Sequence, residues 1–178
     1  MCLPHSGVVE ETLIGEAGMI NDLAPHTIVI DCSTSDPAST CNLSRLLKDR
    51  KISLLDAPMN RGPKDAREGK LNIMVGGDPE AYEAVYPLFA SFSENIYYVG
   101  QAGAGHRLKL LNNYISMAFT SIVISSLSYA QMNGLDLAIL DKVMSKGSNY
   151  IPAMPLMISW LEKGGTSFNF LSRTLVKM

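Results

Sequence analysis

The clearest chemistry in this sequence lies in one short stretch, residues 103–114 (GAGHRLKLLNNY). An α-helix turns by about 100° per residue, so Lys109, Asn113, Ser116 and Thr120 fall on one narrow polar line. Leu111, Ile115, Phe119 and Ile122 fall on a separate apolar side. A lysine with an asparagine four residues on puts a cation and a neutral amide on the same face. Such a pair can hand over a proton and hold an oxygen that is gaining negative charge. The same spacing also describes an ordinary solvated helix face, so other segments have to decide between the two.

Three of them bear on it. Gly100, Gly103 and Gly105 follow an apolar run and open this helix, as a dinucleotide-binding loop would. The fingerprint fails, because Leu108 stands where its last glycine should be and no acidic residue follows until Asp136. These glycines read as a tight junction. Residues 31–34 (DCST), with Pro37 beyond, put hydroxyls at the end of a strand, where open α/β sheets bind ligands. Capping of the next helix by Ser33 or Asp36 is the plainer alternative. Residues 56–63 (DAPMNRGP) leave another strand end, and Arg61 there has the forked geometry to grip an anionic group. A surface arginine without a ligand reads the same way. Cys32 has no histidine near it in sequence and reads as a buried thiol, and His5, His26 and His106 lack metal-like spacing. His106 is retained only as a neighbour of the lysine.

These segments need a scaffold. Hydrophobic residues make up 47% and charged residues 18%, the balance of a globular chain. Fifteen Lys and Arg against 17 Asp and Glu give a net charge of −2, which offers nothing to nucleic acid or an anionic membrane. The most apolar run, residues 117–127, is broken by Thr120, Ser121 and Ser125 and reads as too short and too polar to span a bilayer. No secretory signal is visible, so a cytoplasmic location is expected. Residues 27–32, 52–56, 71–75 and 95–99 read as strands, three of them nearly continuous in apolar character, as in a sheet covered on both faces. Residues 37–49 and 79–91 read as helices, each opened by Asp-Pro. After Gly100 the pattern turns helical, at 108–132, 135–146, 152–163 and from 168 onward. The expected organisation is therefore an α/β layer over residues 1–100 and an all-α segment over 101–178.

Taken together, the segments resemble the β-hydroxyacid dehydrogenase family. The family's Asp-x-Ser-Thr-x-x-Pro is matched from Asp31 to Pro37, and its Asp-Ala-Pro-Val-Ser-Gly-Gly loop from Asp56. Its Gly-x-Leu-x-x-Met-Val-Gly-Gly is matched from Gly69 to Gly77, and its catalytic Gly-x-x-x-Lys-x-x-x-Asn by Gly105, Lys109 and Asn113. The matches are collinear over essentially the whole chain. The resemblance implies the C-terminal half of a Rossmann-like dinucleotide-binding domain followed by the first helices of an all-α domain. It implies hydride transfer between NAD or NADP and a short 3-hydroxy acid or its semialdehyde, with Lys109 as the catalytic acid. Ser33, Asn60, Arg61, Gly62, Asn112, Asn113 and Ser116 would bind substrate. Leu3, Pro4, Thr34 and Lys177 would touch cofactor, and the protein would form a homo-oligomer.

The chain departs from the family at informative places. Asn60-Arg61-Gly62 replaces the Ser-Gly-Gly of the loop, and this arginine, with KLLNNYIS from Lys109, is similar to members that reduce sulfolactaldehyde. A strongly anionic, even sulfonated, substrate is the expectation. Met178 stands where the family's second lysine is followed by aspartate. Residues 1–4 (MCLP) resemble the end of a strand with nothing before it, and the last helix stops mid-pattern. Both ends therefore read as cut, without the glycine-rich half of the cofactor domain. The rival expectation is a non-catalytic remnant that associates with itself through an uncovered sheet edge. A phosphotransfer reading of Asp31 is weak, because Ser33 occupies the place of the second aspartate it needs.

Overall fold

The computed structural model describes residues 1–148 and 150–162. The chain divides into two compact units, Met1–Tyr114 and Ile115–Met178. The strands do stop at Gly100, but the division between units falls further on, inside a long helix.

In the first unit the order is α1 (Ser6–Ile14), a 3-10 turn at Met19–Asn21, β1 (Ile28–Asp31), α2 (Pro37–Lys48), β2 (Ser53–Asp56), β3 (Met59–Asn60), α3 (Pro63–Arg67), β4 (Leu71–Gly76), α4 (Pro79–Ala90), β5 (Ser93–Gly100) and the start of α5 (Ala104–Met132). The Asp-Pro signals operate as read. Asp36 accepts from the Ala38 N–H, and Asp78 accepts from the N–H groups of Glu80 and Ala81, so each aspartate satisfies donors the helix cannot.

Why the strands are apolar on both sides is visible at Leu54 and Leu55. Successive strand residues point to opposite faces. Leu54 packs with Val29, Val9, Leu13, Leu43 and Leu47 beneath α1 and α2. Leu55 packs with Ile73, Val75, Ala81, Tyr82 and Phe89 beneath α4. Burying each such side chain contributes roughly 1.5–3 kcal/mol, so two covered faces hold the sheet far better than one.

The sheet is parallel-rich and not wholly parallel. β1 pairs β2 in parallel and β4 pairs β5 in parallel, but β2 and β3 both run antiparallel to β4, through Asp56–Gly76, Met59–Ile73 and Asn60–Asn72. A parallel return needs a crossover of about a dozen residues or more, usually a helix. The link from Asn60 to Leu71 holds only the five-residue α3, so the chain folds straight back. The first residues also find a place. The Met1 amine donates to the Ile30 carbonyl at 2.7 Å, and Cys32 N–H donates to the Met1 carbonyl at 2.8 Å, which lays the N-terminus along the free edge of β1.

In the second unit, Val123, Leu127 and Ala130 of α5 recur at helical spacing. They pack with Leu137 of α6 (Leu137–Met144) and with Met154, Met157 and Ile158 of α7 (Met154–Glu162). Asp136 caps α6 through the N–H groups of Ala138 and Ile139. The helix expected from residue 168 lies outside the described residues. The run at 117–127 proves to be part of a 29-residue helix that its serines do not interrupt. By length and composition alone α5 could cross a membrane, which corrects the reading from the shorter run. Only 11% of its most apolar window is buried among the described residues.

Candidate functional site

The site begins with a carboxylate. Asp56 ends β2 and is fully buried. Its Oδ1 accepts from the Gly103 N–H at 2.7 Å, and its Oδ2 accepts from the His106 N–H at 2.8 Å. Both donors belong to the entry of α5, where backbone N–H groups lack helical partners and the helix dipole favours an anion. One strand-end aspartate therefore fixes where α5 starts and how it points. Gly103 makes the turn at φ 85°. Gly105 lies so close that a Cβ there would stand 2.5 Å from the Met74 carbonyl oxygen and 2.7 Å from that of Asp56. Glycine four residues before the lysine thus lets the helix press onto the sheet.

That seating puts Lys109 against the loop after β2. Its Nζ donates to Asn60 Oδ1 at 2.5 Å, and Asn112 Nδ2 lies 3.5 Å from the same oxygen. Lys109 is 9% exposed. Burial disfavours its charged form and lowers its pKa below the ordinary 10.5. Among the described residues no carboxylate forms an ion pair with it. The result is an amine that holds its proton less tightly than a surface lysine and faces neutral amides. Asn113 is half-buried and lies a helical turn beyond it, on the same face.

Of the other residues singled out from the sequence, the structure brings some to Lys109 and turns others elsewhere. Asn60 and Asn112 meet it. Arg61 faces away, with its Nη1 donating to Glu94 Oε2 at 2.5 Å and to the Lys70 carbonyl at 2.6 Å. Arg61 has φ 75°, a conformation glycine adopts freely, and the resembling loop has glycine at this place. Gly62 opens α3, its N–H donating to Asp65 Oδ2 at 3.0 Å. Ser116 is exposed and belongs to the second unit, where Thr120 bonds back to its carbonyl. Lys177 lies outside the described residues.

The first-strand residues form a second group. Ser33 is buried, and its Oγ accepts from the Leu3 N–H at 2.8 Å, so the hydroxyl is engaged in holding the N-terminal turn. Pro4 and Thr34 are both exposed at this carboxyl end of the sheet, with Leu3 half-buried between them and the core. They leave an exposed turn and hydroxyl at the end of the sheet where open α/β folds bind ligands. Burial pushes the Cys32 thiol up to about 11, so it stays protonated and is no nucleophile.

His106 is the residue the sequence reading left without a role. It is fully buried, with Nδ1 2.8 Å from Thr40 Oγ and Nε2 3.1 Å from the Ser33 carbonyl. Asp31 Oδ2 lies 4.0 Å from Nε2 and Asp56 Oδ2 lies 3.9 Å from Nδ1. Asp31 itself accepts from the Ser33 N–H and the Ser35 hydroxyl. The imidazole therefore ties the β1 end, α2 and the β2 end to the helix that carries Lys109. Its only signal in the sequence is its place three residues before the lysine, beside the glycines of the junction.

Residues 1–100 match the NAD binding domain of 6-phosphogluconate dehydrogenase. The chain is 33% identical over 158 residues to the NAD-dependent L-serine dehydrogenase of Pseudomonas aeruginosa, an alignment covering 89% of this chain and 53% of that protein. It is 31% identical over 143 residues to the 3-sulfolactaldehyde reductase of Escherichia coli, covering 80% and 48%. Among solved structures, the 3-hydroxyisobutyrate dehydrogenase of Mycobacterium tuberculosis superposes with a TM-score of 0.76 at 26% identity, covering 84% of this chain and 50% of that one. The chain spans about half the length of the curated relatives it matches.

Proposed function

The chain belongs to the family that carries the NAD binding domain of 6-phosphogluconate dehydrogenase, and from that premise we propose that it supplies the proton-donating half of a hydroxyacid dehydrogenase. The reaction is hydride transfer between NAD or NADP and a short 3-hydroxy acid or its semialdehyde. The observation that carries this reading is the contact of Lys109 Nζ with Asn60 Oδ1. It joins the lysine helix to the segment that follows Asp56, two of the segments that carry the resemblance.

The nicotinamide supplies or accepts the hydride when bound, with Leu3, Pro4 and Thr34 the residues of this chain that would touch it. Lys109 gives its proton to the carbonyl oxygen as that oxygen becomes an alkoxide. Burial helps, because an amine that is costly to keep charged releases a proton readily, and a developing anion beside it restores the balance. Asn60, Asn112 and Asn113 orient the oxygen, and Gly62 completes the substrate side. Ser33 acts through the N-terminal turn it holds. Arg61 takes the acid group of the substrate only by exchanging Glu94 for it, and its fork can then bind a carboxylate or a sulfonate through two parallel bonds.

A second reading concerns assembly and rests on α5. Leu111, Ile115, Phe119 and Ile122 are 48–64% exposed and form one stripe. Such an apolar face is typical of a helix that packs against another polypeptide, and we take the partner to be a second copy. Three free cysteines fit a reducing, cytoplasmic setting.

The test of the reaction is a chimera in which this chain replaces the aligned segment of the Pseudomonas L-serine dehydrogenase. It is assayed with NADH and NADPH against 3-sulfolactaldehyde and methylmalonate semialdehyde, and in reverse against L-serine and 3-hydroxyisobutyrate. Turnover of at least one substrate supports the reading. A folded chimera inert toward all of them with either cofactor overturns it.

A further inference from the structure

The amine of Lys109 is placed for a second chemistry that needs no nicotinamide. It is a primary amine 91% shielded from solvent, bonded to a neutral amide oxygen, with no ion-pairing carboxylate among the described residues. Asn60, Asn112 and Asn113 around it are each half-buried, so it lies under a thin layer of amides. A lysine desolvated among neutral groups is the usual arrangement for an amine that attacks carbonyls.

We propose that Lys109 is a covalent carbonyl-binding residue, forming a reversible imine with small anionic aldehydes in the absence of cofactor. The Nζ lone pair forms a bond to the aldehyde carbon, the carbonyl π pair moves to oxygen, and one of the two nitrogen protons passes to that oxygen to give a carbinolamine. The restored nitrogen lone pair then expels the hydroxyl, which leaves as water with the second nitrogen proton, giving C=N. One aldehyde and one amine become one imine and one water, with no change of oxidation state. Asn112 Nδ2, 3.5 Å from the oxygen that holds the amine, is the donor nearest to steady the carbinolamine oxygen. Burial lowers the basicity of Lys109, so more of it is neutral amine than in an exposed lysine at the same pH. The class of aldehyde, short and acidic, rests on the function proposed above.

Reductive trapping tests this on the 178-residue chain itself. Glyoxylate with cyanoborohydride converts an imine into a stable carboxymethyl-lysine, which peptide mapping locates. In the folded chain near pH 7.5, Lys109 should be labelled several-fold faster than the exposed Lys64. In concentrated urea the two rates should converge, because the environment that favours Lys109 is gone. Equal labelling of Lys109 and Lys64 in the folded chain overturns the proposal, as does a preference that survives urea. A chimera that reduces aldehydes while Lys109 resists trapping would leave the hydride-transfer reading standing and remove this one alone.

Discussion

At the scale of single residues, the surroundings of Lys109 set how readily it gives up its proton. Its pKa is lowered by burial, so the proton needed to reduce an aldehyde is lost as pH rises through a value below the ordinary 10.5. Reduction by the chimera should therefore fall with rising pH before an exposed lysine would titrate, and the reverse oxidation should rise over the same window. A pH–rate profile in both directions reads this, and a flat profile to pH 10 would separate Lys109 from the rate. Arg61 allows a second expectation. Its left-handed φ costs about 1–2 kcal/mol, and its half-exposed pair with Glu94 returns about 0–1 kcal/mol. Arg61→Gly should leave thermal stability unchanged or raised while weakening sulfonated substrates more than carboxylated ones. Equal loss for both substrates would make Arg61 a surface residue. The sequence identified Arg61 as unusual, but its direction depends on a φ angle and on Glu94, which lies more than thirty positions away.

At the scale of elements, the seating of α5 matters most. The two oxygens of Asp56 satisfy the Gly103 and His106 N–H groups, and removing them strands two buried donors beside an imidazole. Each buried polar group left unsatisfied costs about 1–3 kcal/mol, so Asp56→Ala, which strands two, should lower stability by about 2–6 kcal/mol in a denaturant titration. Gly105→Ala should cost about 1–3 kcal/mol or more, because the atoms its Cβ would strike are backbone. Loss of neither would mean that α5 is held by something else. Much of this level was legible: Asp-Pro marked α2 and α4, and the apolar runs marked β1, β2, β4 and β5. α1 was not, since Ser6–Ile14 contains Gly7 and β-branched residues that form helices poorly, and it is held by burying Val9 and Leu13. The reversal of β4 was hidden because an apolar run carries no direction, although the short Asn60–Leu71 link contained the answer. His106 was overlooked because its partners Asp31, Thr40 and Asp56 come from three other segments.

At the scale of the molecule, the polypeptide carries a well-built lysine site and an apolar helix face that calls for cover. Light scattering on residues 1–178 should show a mass above that of the 19.4 kDa monomer. Phe119→Ser with Ile122→Ser should shift it toward monomer, and a monodisperse monomer before any substitution would remove the assembly reading. The central claim is that Lys109 donates the proton in hydride transfer, and it meets its most direct test in the kcat of the chimera with and without that side chain. Lys109→Ala should lower kcat by about a hundredfold or more at unchanged fold, because a general acid acts chiefly in the transition state. Turnover within a few-fold of the parent would contradict the account.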